Sequence, residues 1–143
     1  MREPWGKLDL PAGNSHHLIH HSADVAAVVH ELLLLPGFRS RLEAAASVRI
    51  GNDGIACLAA LAFLHDVGKL APAFQAKGWP DGHGITPRDH LRCGWRWLKQ
   101  EDPDDSLDGN ALHLIGWPGI EEWFKVLFAH HGQPIAAPPE SAA

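Results

Sequence analysis

The chain has 143 residues, 45% of them hydrophobic and 20% charged, with a formal net charge of −5. That length and apolar content suit one domain with one core and exclude a disordered chain. The longest uncharged apolar run, Ile55 to Leu64, is far shorter than the ~20 residues a membrane span requires, and nothing after Met1–Pro4 reads as a signal peptide.

Residues 1–15, with Trp5-Gly6-Lys7 and Pro11-Ala12-Gly13-Asn14, read as an irregular lead-in. A long helix is expected from His16 to Leu35, where Val25, Val28, Val29 and Leu32 recur at helical spacing and Pro36-Gly37 stops the run. A short helix follows over Arg39 to Ala46. Asn52 or Asp53 caps the next, which continues through Ile55–Leu64 to about Val67, with Gly68 as its stop. Because it is apolar on every side, it is expected to be the buried central helix.

Ala71–Lys77 adds a helical turn, and Gly78 to Gly84 reads as a loop. Thr86-Pro87 opens a helix reaching Lys99, Thr as cap and Pro in the first turn. Asp102 to Asn110 is acidic and turn-rich. Trp117-Pro118 opens the last helix, Ile120 to His131, closed by Gly132 and Pro134. Residues 1–135 therefore form one domain, and 136–143 a disordered Pro/Ala tail. With no β alternation evident, the expected fold is an all-α helical bundle around a central buried helix.

Cys57 and Cys93 make neither a disulfide framework nor a zinc motif, which suits free thiols in a reducing cytosol. The acidic balance counts against a DNA-binding module with a basic face. It leaves a nuclease open, because bound ions offset the negative charge of a carboxylate–histidine site.

Eleven histidines are the unusual feature of the composition. His65-Asp66 ends the central apolar helix, where burying either residue is expensive unless it coordinates or pairs. His65 capping carbonyls, with Asp66 binding Lys69, is the alternative there. His17, His21 and Asp24 share one face of the first helix, and Val25, Val28 and Leu32 extend that stripe into the core. A solvated cluster of His16, His17, His20 and His21 is the other reading; His16 and His20 point elsewhere. His130 and His131 close the last helix, whose apolar face is Ile120, Trp123, Phe124, Leu127 and Phe128. His90, beside Gly94 and Trp97, completes the set or stays at the surface. Converging helices with inward His and Asp ligands build metal sites, for one ion or two, of Mn, Fe, Co, Ni or Zn rather than Ca.

These motifs resemble the HD phosphohydrolase superfamily, and within it the nuclease domain of the type I CRISPR-associated helicase-nuclease. Trp5-Gly6-Lys7 is similar to that family's opening motif, and Leu18 to Val28 to its first-helix signature, with His21 at the ligand position. Leu64-His65-Asp66-Val67-Gly68-Lys69-Leu70-Ala71-Pro72-Ala73-Phe74-Gln75 resembles its HD motif, including a Phe-Gln trailer that ordinary HD phosphohydrolases lack. Arg88-Asp89-His90 with Gly94, and Ala129 to Pro134, resemble its remaining motifs.

The resemblance implies that His21, His65 and Asp66 hold one divalent transition-metal ion, with Asp66 bridging to a second held by His90, His130 and His131. It implies that Lys69 meets the scissile phosphate or stabilises charge in the transition state. The implied activity is cleavage of single-stranded DNA in an R-loop, in the cytoplasm, with the Cascade surveillance complex and a helicase domain or subunit as partners and no membrane. No Gly-rich loop ending in Gly-Lys-Ser/Thr is present for a helicase. The family's last metal-binding Asp lies beyond the double His, and the chain is expected to stop short of it, leaving the first metal site one ligand poorer. Two other readings stand beside the nuclease: a degenerate, non-catalytic HD module docking on Cascade, and an HD phosphohydrolase acting on nucleotides.

Overall fold

Proline and glycine decide where this chain breaks into segments. Pro36 and Pro72 each stand in the first turn of a helix, where a missing N–H costs nothing. The computed structural model of the protein describes residues 3–9, 11, 14–80, 84–99 and 119–132. In chain order these form β1 (Trp5–Asp9), β2 (Asn14–His17), α1 (Leu18–Leu34), α2 (Pro36–Ala46) and α3 (Asn52–Phe63). A 3-10 segment (Leu64–Leu70), α4 (Pro72–Gln75), a 3-10 turn (Ala76–Gly78), α5 (His90–Lys99) and α6 (Ile120–Phe128) follow. The protein is mostly helical, as expected from the sequence. The acidic segment over 102–110 and the tail over 136–143 lie outside the described residues.

The lead-in is not irregular. β1 and β2 pair antiparallel, Trp5 opposite His17 and Asp9 opposite Asn14, with a register irregularity between Trp5 and Lys7. His16 and His17 are therefore strand residues, and the first helix begins at Leu18. Strands this short and polar show no alternation, so periodicity cannot reveal them. Backbone approach docks the hairpin instead: a Cβ on Gly6 would stand 3.1 Å from Leu18 Cα and 3.3 Å from His21 Cβ. The Leu18 N–H donates to the Pro4 carbonyl at 2.9 Å, fastening the helix start to the same strand.

α1 carries more apolar residues than one face can bury, and the stripe chosen differs from the expected one. Leu18, Ser22 and Leu33 point inward, whereas Val28 and Leu32 are 58% and 37% exposed. Packing on α3 decides the rotation, because it is α1's principal neighbour. α2 starts at Pro36 rather than Arg39, leaves α1 at 88° and buries none of its residues.

The burial of α3 is one-sided, not complete. It buries Ile55, Leu61 and Ala62 and leaves Ala56, Cys57 and Ala60 exposed. Regular helix ends at Phe63, short of Val67, and the chain tightens into the 3-10 segment.

The core lies beside that segment. Leu61, Trp95, Ile120, Phe124 and Phe128 form it, with Leu64, Val67, Leu91 and Leu127 packed on them. Trp123, expected on the inner face of α6, is exposed, because Phe124 and Phe128 at spacing four already fill the contact. α5 begins at His90, not Thr86. The preceding stretch, 84–89, is non-helical, and the Arg88 N–H donates to the Ala73 carbonyl at 2.9 Å. Among the described residues no single helix is long and apolar enough to cross a membrane.

Candidate metal centre

Asp66 is the pivot of the molecule's polar chemistry. Its backbone, at φ −110° and ψ 15°, leaves helical geometry for the sparsely occupied bridge region in which many active-site residues sit. The kink points a carboxylate into the interior, where the residue is 1% exposed. Such a group cannot stay there alone.

Each carboxylate oxygen has its own set of neighbours. Oδ2 lies 3.1 Å from His21 Nε2, 3.2 Å from His65 Nε2 and 2.7 Å from Lys69 Nζ. Oδ1 lies 3.2 Å from His90 Nε2 and 3.6 Å from His130 Nε2. His131 Nε2 reaches His90 Nε2 at 3.3 Å. All seven residues singled out in the sequence thus meet, drawn from α1, the 3-10 segment, the start of α5 and the turn after α6. His130 and His131 sit past the end of α6, which stops at Phe128.

The tautomers decide what this arrangement can do. His65 Nδ1 is 2.7 Å from the Ala62 carbonyl, and His130 Nδ1 is 2.6 Å from the Leu127 carbonyl. Carbonyls only accept, so both Nδ1 atoms carry hydrogen, and each neutral ring turns an Nε2 lone pair toward Asp66. His90 Nδ1, 3.3 Å from the Asp89 carboxylate, is oriented in the same way. The Nε2 lone pairs of these neutral rings therefore face carboxylate oxygens. Such a set repels unless a cation or a proton lies within it.

Asp66 Oδ1 is correspondingly buried without an acceptable hydrogen bond, despite its close ring nitrogens. The donor set suits a transition metal, and imidazoles braced through the second nitrogen are the usual form of such ligands. The ligand atoms of His21, His65 and Asp66 lie within 4.8 Å of one another, as do those of His90, His130 and His131.

The electrostatics divide the set: a proton shared with Asp66 is favoured at His65, and neutral rings at His21 and His130. Burial pushes the Asp66 carboxyl up, but the ring nitrogens of His65 and His90 and the Lys69 ammonium more than offset it and hold it far below the usual range. Burial lowers His21 and His130, with Asp66 opposing only in part, so both favour the neutral, ligating form. At His65 burial also lowers, but the hydrogen bond and charge of Asp66 prevail and raise it.

Four supporting residues escaped the sequence reading as parts of the site. Gln75, 7% exposed, accepts the Trp5 N–H at 3.1 Å and donates to the Trp5 carbonyl at 3.0 Å and the Lys69 carbonyl at 2.6 Å. The Gly6 carbonyl accepts from Lys69 Nζ at 2.9 Å, so the lysine spans β1 and Asp66. Gly68 and Gly94 let two backbones touch: a Cβ on Gly68 would overlap the His90 carbonyl and stand 2.9 Å from Gly94 Cα. A lone amide inside the apolar run Ala71–Ala76 was the available signal for Gln75.

The chain as a whole is similar to known proteins. The profile of the family described as "Cas3, HD domain" matches residues 5–143. The chain is 33% identical, over 145 aligned residues, to the CRISPR-associated endonuclease/helicase Cas3 of Thermus thermophilus. The match covers 97% of this chain and spans 15% of the relative's length. No solved structure matches the chain at a significant level.

Proposed function

This chain belongs to the Cas3 HD-domain family, and from that premise we propose that it is a metal-dependent HD nuclease domain that cleaves single-stranded DNA. The observation that carries the reading is the pair of histidine groups divided between the two oxygens of the buried Asp66. In this reading His21, His65 and Asp66 would hold one ion, and His90, His130 and His131 would hold a second beside the same carboxylate. Bound Mn, Fe, Co or Ni would supply Lewis acidity toward the phosphodiester and lower the pKa of the attacking water.

The remaining work falls to the chain. Ala62, Leu127 and Asp89 hold the imidazoles of His65, His130 and His90 in their orientation toward Asp66. Lys69, 14% exposed, reaches Asp66 and the Gly6 carbonyl and can offer its third donor to a phosphate oxygen. The net charge of −5 makes affinity for free DNA weak, so delivery by a partner fits better than independent capture. The partners in this reading are the displaced strand of an R-loop, the Cascade complex and a helicase domain or subunit, in the cytoplasm.

A docking role on Cascade is the second reading, favoured by α2, which keeps Phe38 and Leu42 exposed and buries nothing. Metal analysis followed by a single-stranded DNA cleavage assay in Mn²⁺, Co²⁺ and Ni²⁺ separates the two. Bound ions and cleavage that vanish together in Asp66→Ala are expected. A folded chain with bound ions and no cleavage in any of these metals would leave the docking reading in place.

A further inference from the structure

Positive charge is not spread evenly along this acidic chain. Between Val67 and Lys99 six Lys and Arg stand against two Asp, whereas the rest of the sequence carries six against fifteen Asp and Glu. The basic stretch is the one that builds the centre: the end of the 3-10 segment, α4, the turn after it and α5.

Two of its residues, Lys77 and Arg88, are exposed yet anchored against one wall of that centre. The wall is Phe74, 6% exposed, whose ring stands 5.3 Å from the His90 ring and 4.7 Å from that of Trp5. The Lys77 ammonium lies 4.5 Å from the centroid of the Phe74 ring, and the Lys69 ammonium 5.9 Å from it. The two ammonium groups are separated by no more than those distances together, close enough to meet neighbouring phosphates of one strand. The ring's attraction for a cation holds Lys77 beside the centre. Arg88 is fastened next to Phe74, because its N–H donates to the Ala73 carbonyl at 2.9 Å. Only Asp89 separates it from His90 in the chain.

We propose that Lys77 and Arg88 form a phosphate-gripping edge that holds single-stranded DNA on the flank of the Asp66 centre, with Lys69 at the phosphate inside it. The proposal rests on the nuclease reading and adds the track by which the strand approaches. Ammonium and guanidinium groups contact phosphate oxygens without reading bases, so the grip is independent of base sequence and weakens with salt. In a chain whose net charge repels DNA, a local basic edge sets the direction from which a strand can enter.

The test measures binding of a fluorescein-labelled oligothymidylate to the full chain by anisotropy, across a salt series and with a chelator present to prevent cleavage. Lys77→Gln/Arg88→Gln changes two exposed side chains, so circular dichroism should show the fold intact and elemental analysis of untreated protein the same ion content. Affinity at low salt should fall about fivefold or more. The slope of log affinity against log salt should shrink by about 1.4, or about 0.7 for each phosphate given up. Arg39→Gln/Arg41→Gln on α2 changes the net charge equally and should alter both far less. Equal losses in the two variants, an unchanged slope in Lys77→Gln/Arg88→Gln, or a wild-type chain that binds no oligothymidylate at low salt overturns the proposal. A variant that loses polyglutamate but keeps oligothymidylate marks an acidic protein surface and overturns it too. If the grip is unchanged while ions bind and DNA is cleaved, the edge fails and the nuclease reading stands. A weakened grip in a chain whose wild type never cleaves supports the edge and counts against the nuclease reading instead.

Discussion

α2 and the 3-10 segment Leu64–Leu70 are both short helical pieces, and they are built on opposite terms. α2 is regular from Pro36 to Ala46, closes with Ser47 in the left-handed region at φ 53°, and buries nothing. The 3-10 segment has an off-helix residue at its heart, yet it packs against α1, α3, α4, α5, α6 and β1. Local regularity is cheap where nothing must be positioned. Where a buried carboxylate must meet four histidines, the backbone leaves its preferred geometry, and surrounding contacts hold it there. Substitutions should therefore be severe in one region and nearly silent in the other.

The largest effect is expected at Asp66. Asp66→Asn keeps the shape but removes the charge that two histidine groups share. Ion content by elemental analysis should fall, and cleavage of single-stranded DNA should drop at least about 100-fold, beyond the usual cost of altering an outer-shell partner. Gly68→Ala tests the backbone contact itself. Its methyl group meets the His90 carbonyl and the Gly94 backbone, neither of which can swing away, so a urea melt should show a loss of about 3 kcal/mol. Wild-type stability in that variant would refute the close approach.

Gln75→Leu comes next. It strands the N–H and C=O of Trp5 and the carbonyl of Lys69, for a loss of about 2 kcal/mol in the same melt. Gln75→Glu, whose second oxygen would set an acceptor against the Trp5 and Lys69 carbonyls in a buried site, should lose at least as much. In α2, by contrast, Gly37→Ala meets nothing within 4 Å and should stabilise slightly, by about 0.5 kcal/mol. A large loss there would end the contrast between the two regions.

The smallest effect is at Glu43, the residue through which α2 holds the chain that follows it. Its carboxylate accepts the Ile50 N–H at 2.8 Å, which holds its pKa below the ordinary carboxylate value, with burial opposing and Arg49 assisting. A depressed folded-state pKa contributes stability above the unfolded value and loses it as pH falls through the folded one. The wild-type melt should therefore decline slightly more than that of Glu43→Gln below the ordinary Glu range. Parallel pH curves would show that the bond is inert.

Much of the centre was legible because its chemistry is written in residue type. His65-Asp66 beside an apolar run, and two adjacent histidines after another, are hard to place except around a shared polar interior. The helices were legible from apolar spacing, and their ends less so. α1 offered several faces, and packing on α3, not periodicity, chose among them. β1 and β2 were invisible because their pairing depends on Gly6 approaching Leu18, and no side-chain pattern records that approach. The same holds for Gly68 against Gly94, a backbone contact between residues 26 positions apart. Gln75 was seen as a motif residue, but its partners, Trp5 and Lys69, come together only in three dimensions.

The tie between β1 and the polar centre bears on the order in which the molecule assembles. Lys69 grips Gly6 across 63 residues of sequence, and Gln75 grips Trp5 across 70. Helical turns close within microseconds, whereas contacts this distant must first bear the entropy of a long loop. The first strand should therefore arrive late, after the helices that carry the histidines have begun to pack. In pulse-labelled hydrogen exchange the amide of Trp5 is expected to gain protection after the amides of α1 and α3, and earlier protection would contradict this order. A chain synthesised from its N-terminus holds Trp5 and Gly6 without partners until Lys69 and Gln75 have emerged, so maturation of the centre waits on its oldest residues finding much younger ones.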